Sequence, residues 1–205
     1  MPNWCVNKVT VTGNDLDKFM AYVNNDCENL FESFTGRPSE LDQWEQINGQ
    51  YFKTITFDEG LTSEFNVDKV PVPEDEVKAF TDKWGCEPSW HDWNVKYYGT
   101  KWDVGKNELI INQDEECVQL QFNTAWSPPD SFFFAIARGL DVTFDHVFCE
   151  GGMGMLGRTI FKKDEVDDVV WFQNIYQHHN EEWDAMEEEV KEDLWEKAWN
   201  DDIGS

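Results

Sequence analysis

The chain changes period once near its start, and that change limits the fold more than any other feature. From Trp4 to Thr12 the sequence alternates and is rich in Val and Thr, the pattern of a strand. Gly13-Asn14 ends it. Leu16, Phe19, Met20 and Val23 then fall at i, i+3, i+4 and i+7, one apolar helical face. Asn14 is the expected N-cap, with Asp15 and Asp17 in the first turn favouring the helix dipole. A strand that passes directly into an amphipathic helix points to an α+β architecture.

Further along, Ser39 to Ile47 reads as a short helix, Asn48-Gly49 as a turn, and Tyr51 to Phe57 as a strand. Residues of about 25–62 read as an insertion. Glu64 to Val70 is a strand stopped by Pro71 and Pro73, and Val77, Phe80 and Trp84 follow at helical spacing. Trp90 to Asn123 reads as strand-rich. Leu109–Asn112 and Cys117–Asn123 form a hairpin around Asp114-Glu115-Glu116, with Val118, Leu120 and Phe122 on one face. Ser127-Pro128-Pro129-Asp130 predicts a capped helix through Phe132, Phe133 and Ile136, ended by Gly139. A strand from Val142 to Phe148 follows. The order fits a ferredoxin-like split βαβ sandwich, an antiparallel sheet with helices on one face.

Forty-two Asp and Glu against sixteen Lys and Arg give a formal net charge of −26. Self-repulsion of this size opposes compactness. It argues against direct binding of nucleic acid or anionic membranes and favours a basic partner. The opposing asset is an aromatic-rich core, since the chain holds eleven Trp and fifteen Phe. The five cysteines, Cys5, Cys27, Cys86, Cys117 and Cys149, are isolated and show no Cys-x-x-Cys pair. They read as reduced thiols of a cytosolic protein. No apolar run approaches the ~20 residues of a membrane span and no signal peptide is legible, so the expected location is the cytoplasm of a host bacterial cell.

Several blocks of the chain carry a family likeness: Met1-Pro2-Asn3-Trp4-Cys5-Val6-Asn7, Val70-Pro71-Val72-Pro73, Gly99-Thr100-Lys101-Trp102-Asp103, Thr124-Ala125-Trp126-Ser127-Pro128-Pro129 and Glu150-Gly151-Gly152-Met153-Gly154. In that order they resemble the YubB-like ferredoxin-like-domain family of phage and plasmid proteins. The resemblance runs over residues of about 1–160 and implies the same sandwich and a mobile-element setting. It carries over no catalytic residue. Residues 161–205 read as an acidic helical extension.

No motif here points to a particular chemistry. Gly151 to Gly157 lacks the Lys-Ser or Lys-Thr of a phosphate loop. His91-Asp92 and His178-His179 lack partners at metal-ligand spacing. No nucleophile motif is present, so no catalytic residue, metal or cofactor is expected. Lys101 and Asp103 read as a salt bridge ordering a loop beside Trp102. Trp4, Trp102 and Trp126 read as sandwich packing. The opposite reading makes Lys101, Trp102, Asp103 and Trp126 a candidate ligand cleft.

The acidic extension offers a physical hypothesis. Glu181, Glu182, Asp184, Glu187, Glu188, Glu189, Glu192, Asp193 and Glu196 are nine acids in sixteen residues, on a predicted helix from Asn180 to Trp199. At ~1.5 Å rise per residue this is one acid per ~2.7 Å. Duplex DNA carries one charge per ~1.7 Å and a single strand one per ~3.4 Å. Trp183, Met186, Val190 and Leu194 form an apolar stripe on the same helix. The expected function is a non-enzymatic inhibitor, encoded by a phage or plasmid. It would bind the basic, nucleic-acid-handling surface of a host defence protein, such as a restriction or CRISPR-type nuclease, by steric and electrostatic blockade, of which DNA mimicry is one form. The alternatives are a small-ligand or nucleotide-binding protein or enzyme using the Trp102–Trp126 cleft, and an oligomeric scaffold.

Overall fold

The alternating segment at the amino end is the strand β1 (Trp4–Gly13), and it sits inside a sheet rather than at its edge. The computed structural model describes residues 3–57, 66–163, 165–172, 185 and 188–192. The chain divides into two units, one of Met1–Thr35 with Tyr97–Ser205 and one of Gly36–Lys96.

The first unit contains β1, α1 (Leu16–Val23), α2 (Leu30–Thr35), β5 (Ile110–Gln113), β6 (Cys117–Ala125), α6 (Asp130–Gly139), β7 (Val142–Glu150), β8 (Met155–Lys162) and β9 (Glu165–Phe172). The six strands form one sheet in the order β5-β6-β1-β7-β8-β9, with every neighbouring pair antiparallel. Taken through β7, the chain runs β1-α1-β5-β6-α6-β7. That is the βαββαβ path of a ferredoxin-like α+β sandwich. β8 and β9 widen the sheet on the β7 side.

Both helices cover one face. Phe19 of α1 and Phe133 of α6 lie 5.6 and 4.9 Å, centroid to centroid, from the same ring, Phe144 of β7. Phe144 stands opposite Val11, which in turn stands opposite Val118. Phe31 of α2 adds contacts to Phe132 at 4.5 Å and to Tyr98 at 5.2 Å. This aromatic cluster is the core that the phenylalanine count predicts, and its rings meet in tilted and edge-on arrangements.

The second unit contains α3 (Glu40–Gln43), β2 (Trp44–Ile47), β3 (Gln50–Phe57), β4 (Asn66–Pro71) and α4 (Glu74–Trp84), and α5 (Trp90–Tyr97) runs to its end. Its three strands form a separate antiparallel sheet, β2-β3-β4. Trp93, Phe80, Leu41, Tyr51 and Val72 are buried. Trp84 meets Trp93 edge-on at 5.1 Å.

Four expectations change. The inserted unit is Gly36–Lys96 rather than 25–62, because Leu30 and Phe31 belong to the first unit's core. The Ser39–Ile47 segment is helical only over Glu40–Gln43, because Asn48 and Gly49 take φ of 51° and 83° and close a two-residue hairpin with Ile47 opposite Gln50. Trp90–Tyr97 is a helix, and its aromatic residues at 90, 93 and 97 fit that period. The predicted caps are replaced. Neither α1 nor α6 has a side-chain cap; Asn14 Nδ2 donates to Asp141 at 2.7 Å, and Ser127 Oγ donates to Gly99 O at 2.7 Å.

Of the predicted C-terminal helix, Ala185 and residues 188–192 are described and helical. Among the described residues, no helix is long and apolar enough to cross a membrane.

Phe133 is fully buried and touches Phe122, Phe132, Phe144, His146 and Phe161. Phe133→Ala is expected to lower stability by roughly 3–5 kcal/mol. Urea unfolding of parent and variant measures it, and a loss below about 1 kcal/mol would contradict this packing.

Candidate functional site

β1 pairs along its length with β6 on one side and β7 on the other, so its first residues lie beside the end of β6 and the end of β7. Trp4 stands opposite Ala125, and Cys5 opposite both Thr124 and Glu150. Trp126 N donates to Asn3 O at 3.0 Å. The loop before β5 joins them, since Thr100 Oγ1 donates to Ala125 O at 2.9 Å. Four blocks that are far apart in sequence therefore meet at one end of the sheet: residues 3–7, 99–103, 124–129 and 150–154.

This end exposes tryptophan. Trp4, Trp102 and Trp126 are 51%, 37% and 43% exposed, which overturns the expectation that they pack the sandwich. Trp4 and Trp102 lie 6.0 Å apart at 49°. Trp126 has φ of 74°, a left-handed conformation that costs a bulky residue energy. Strain of this kind persists only where surrounding structure enforces it, and it is found disproportionately at functional sites.

Lys101 and Asp103 do not pair in the expected loop-ordering salt bridge. Lys101 Nζ lies 5.0 Å from the centre of the Trp102 ring. Asp103 turns inward to α2, where its carboxylate accepts the N–H groups of Phe31, Glu32 and Val104 at 2.7–2.9 Å. The orphan donors at the start of a helix account for that geometry. Burial outweighs these bonds and pushes the Asp103 carboxyl up to about 6.

The glycine-rich block is the turn between β7 and β8. The buried Glu150 carboxylate accepts Gly152 N at 2.8 Å and Met153 N at 2.7 Å. An internal carboxylate thus occupies the N–H groups that a phosphate would need.

On the helix-covered face of the sheet lies a buried polar network that the sequence did not announce. Asn7 Nδ2 donates to Cys5 O and Thr124 Oγ1, both at 2.9 Å, and reaches Phe122 O at 3.4 Å. Its Oδ1 lies 3.0 Å from His146 Nε2. With the amide oriented this way, His146 carries its proton on Nε2 and donates it. His146 Nδ1 faces Asp130 Oδ1 at 3.6 Å, at the start of α6. A signal was present, because Asn7 and His146 stand in the inward phase of their strands, among Cys5, Val9 and Val11 and among Val142, Phe144 and Phe148.

Of the acids in the extension, Glu188, Glu189 and Glu192 are described, and all three are exposed on helix. Glu181, Glu182, Asp184, Glu187, Asp193 and Glu196 lie outside the described residues, as do Trp183, Met186 and Leu194. Val190, a member of the predicted apolar stripe, is also exposed. His91 Nδ1 is 3.7 Å from Asp92 Oδ1, and no group of three metal-ligating side chains occurs among the described residues. The described cysteines are all free thiols.

The topology and the covered face define the class: an α+β sandwich of the ferredoxin-like kind, extended by two strands. Residues 101–196 match the family described as the ferredoxin-like domain in Api92-like protein. The uncharacterized protein YubB of Escherichia coli (strain K12) is 31% identical over 85 residues, 41% of this chain. The match takes in 59% of that relative, under two thirds of its length. A crystal structure of the protein api92 from Yersinia pseudotuberculosis superposes with a TM-score of 0.45 at 12% identity, over 84% of this chain and 98% of that one. The likeness to the Api92-like family extends past residue 160 into the acidic segment.

Two outcomes test this end of the sheet. Asn7→Ala leaves His146 Nε2 without its acceptor and should cost roughly 1–3 kcal/mol in urea unfolding. Asp103 gives a pH dependence. Its folded pKa of about 6 lies above the usual 3.8, so the folded state holds the proton more tightly. Its contribution is full below about pH 4 and is lost as pH rises through about 6. The stability gap between parent and Asp103→Asn should shrink over that window by up to about 3 kcal/mol. A gap that widens between pH 4 and 7 would reverse the sign.

Proposed function

We propose that this chain is a non-enzymatic binding protein, of phage or plasmid setting, that docks on a basic, nucleic-acid-handling surface of a host defence protein and blocks it. One observation carries this reading. Trp4, Trp102 and Trp126 are held exposed at the end where the family blocks converge, in a chain of net charge −26. Tryptophan is the residue type most enriched among the energetic centres of protein interfaces. The polar groups that chemistry would recruit there are already engaged: Asp103 holds the start of α2, Glu150 holds a turn, and Asn7 bridges strands. The charge sets the partner's sign, and the exposed helical acids Glu188, Glu189 and Glu192 extend it toward mimicry of nucleic acid.

A second reading rests on Lys101 beside the Trp102 ring. A cation next to exposed aromatic faces is the arrangement a nucleotide platform uses. Nucleotide titration followed by tryptophan fluorescence separates this case from protein binding.

The test is a host partner captured with the purified chain. Its duplex-DNA binding should be lost in the complex. Raising salt from 50 to 300 mM should weaken the complex strongly, because exposed charges are screened over ~8–10 Å at physiological ionic strength. Trp4→Ala or Trp102→Ala should weaken it about 30-fold or more, the scale of an interface centre. The triple reversal Glu188→Lys, Glu189→Lys, Glu192→Lys should weaken it further. A partner that still binds DNA inside a salt-insensitive complex removes the blockade; saturable nucleotide quenching without any partner supports the second reading.

A further inference from the structure

The hydrogens of the buried network have few places to sit. Thr124 Oγ1 donates its single hydrogen to Ser127 O at 2.7 Å, so toward Asn7 it can only accept. Asn7 Nδ2 gives its hydrogens to Thr124 Oγ1 and Cys5 O. Asn7 Oδ1 is therefore an acceptor, and His146 Nε2 carries a hydrogen. That leaves His146 Nδ1. It is enclosed and has no hydrogen-bond partner, and Asp130 Oδ1, 3.6 Å away, is enclosed and has none either. In a neutral imidazole these are two acceptors turned toward each other with no donor between them, an arrangement that costs free energy in the interior. One more proton removes the conflict. On Nδ1 it makes the ring a cation facing a carboxylate, a charge-assisted pair.

The surroundings suit that state. Asp130 opens α6, where the helix dipole favours a carboxylate. The His146 ring lies 4.8 Å from Phe133 and 5.3 Å from Phe148, aromatic neighbours that tolerate a cation. The other elements around the ring bring no competing cation. β1 supplies Asn7 and the Cys5 thiol, which burial holds well above its usual value and so uncharged. β8 supplies Thr159, opposite His146 in register. On β7 itself, the Glu150 carboxylate is tied to the N–H groups of its own turn.

Asp130 is closely joined to the tryptophan end. Only Trp126 to Pro129 separate it from Ala125, the last residue of β6. Ser127 Oγ ties this loop to Gly99 O at 2.7 Å. Gly99 lies so near the start of α6 that a Cβ there would come within 3.1 Å of the Asp130 and Ser131 nitrogens. The start of α6 thus bears on both the left-handed Trp126 and the 99–103 loop that carries Trp102. We infer that a proton held between His146 and Asp130 switches the tryptophan end. With the proton in place, the start of α6 is pinned and Trp126 keeps its strained, exposed position. Without it, Asp130 turns away from the ring and the loop relaxes. The use of this switch rests on the binding function proposed above, but the switch itself belongs to the free chain and is tested without a partner.

Long-range proton–nitrogen spectra of the full chain count the protons on the His146 ring, and the Trp126 indole cross-peak follows the loop. Over about pH 5–8, the range in which histidine changes charge, His146 should pass from two ring protons to one as pH rises. The Trp126 peak should move with the same midpoint. Asp130→Asn replaces the carboxylate with an amide that donates to Nδ1 of the neutral ring, so the contact survives without the extra proton. In that variant the Trp126 peak should hold its low-pH position throughout and lose its titration. Asp103→Asn is the control, because Asp103 titrates beside Trp102, and it should leave the Trp126 movement intact. A His146 ring whose proton number stays constant over this range overturns the switch. So does a ring that titrates while Trp126 stays still. Movement of Trp126 that persists in Asp130→Asn, or that vanishes in Asp103→Asn, overturns the assignment to this pair.

Discussion

One buried amide fixes the arrangement on which the rest depends. Asn7 is fully enclosed in the central strand, and its side chain bonds to β6 through Thr124 and to β7 through His146. A polar group enclosed this way is costly unless every partner is in place. A slip of one residue in β1 would turn Asn7 to the opposite face and strand those partners. The amide therefore specifies register in a sheet whose alternating Val and Thr would otherwise tolerate neighbouring alignments. Register in turn decides which residues share the end of the sheet, and so why Trp4 lies beside Trp102 and next to the 124–129 turn.

The aromatic core and the charge act at different ranges. Phe19, Phe31, Phe132, Phe133, Phe144 and Phe148 close the covered face, where dispersion and area burial act over a few ångströms. Among the described residues the acids sit mostly at the surface, where their repulsion is spread over the Debye length and falls with salt. Among the described residues, inward carboxylates serve the backbone: Asp103 meets the start of α2, and Glu150 meets the turn after β7. Local use of carboxylates as N–H acceptors lets an acidic chain employ part of its charge structurally.

The sequence made some of this legible and hid the rest for physical reasons. β1, α1 and the β5–β6 hairpin follow from periodicity because each has a buried face and an open one; Val118, Leu120 and Phe122 are buried as their alternation predicts. α5 was hidden because its aromatic residues suit strands and helices alike, and only the 90, 93, 97 spacing favours the helix. The caps were hidden because Asn14 and Ser127 have partners from distant segments, Asp141 and Gly99, that local motifs cannot reveal. Tryptophan exposure was hidden for a related reason. Composition argues that large rings go inside, while the exposure of Trp4, Trp102 and Trp126 depends on loops that only the sheet brings together. The Asn7–His146 pair could have been found, since a polar residue in the inward phase of an apolar strand needs a partner across the sheet.

The second unit enters after Thr35 and returns at Tyr97, and the two borders of the gap meet: Thr35 Oγ1 and Tyr98 Oη are 3.4 Å apart, and Phe31 packs on Tyr98. A segment whose ends are already clasped is, in chain-entropy terms, a closed loop. Loop-closure entropy grows only with the logarithm of length, so a tenfold change in the excursion alters it by roughly 2 kcal/mol. The cost of closing that clasp is therefore nearly the same for a longer or a shorter insert, and the register of β1, β6 and β7 does not depend on its length.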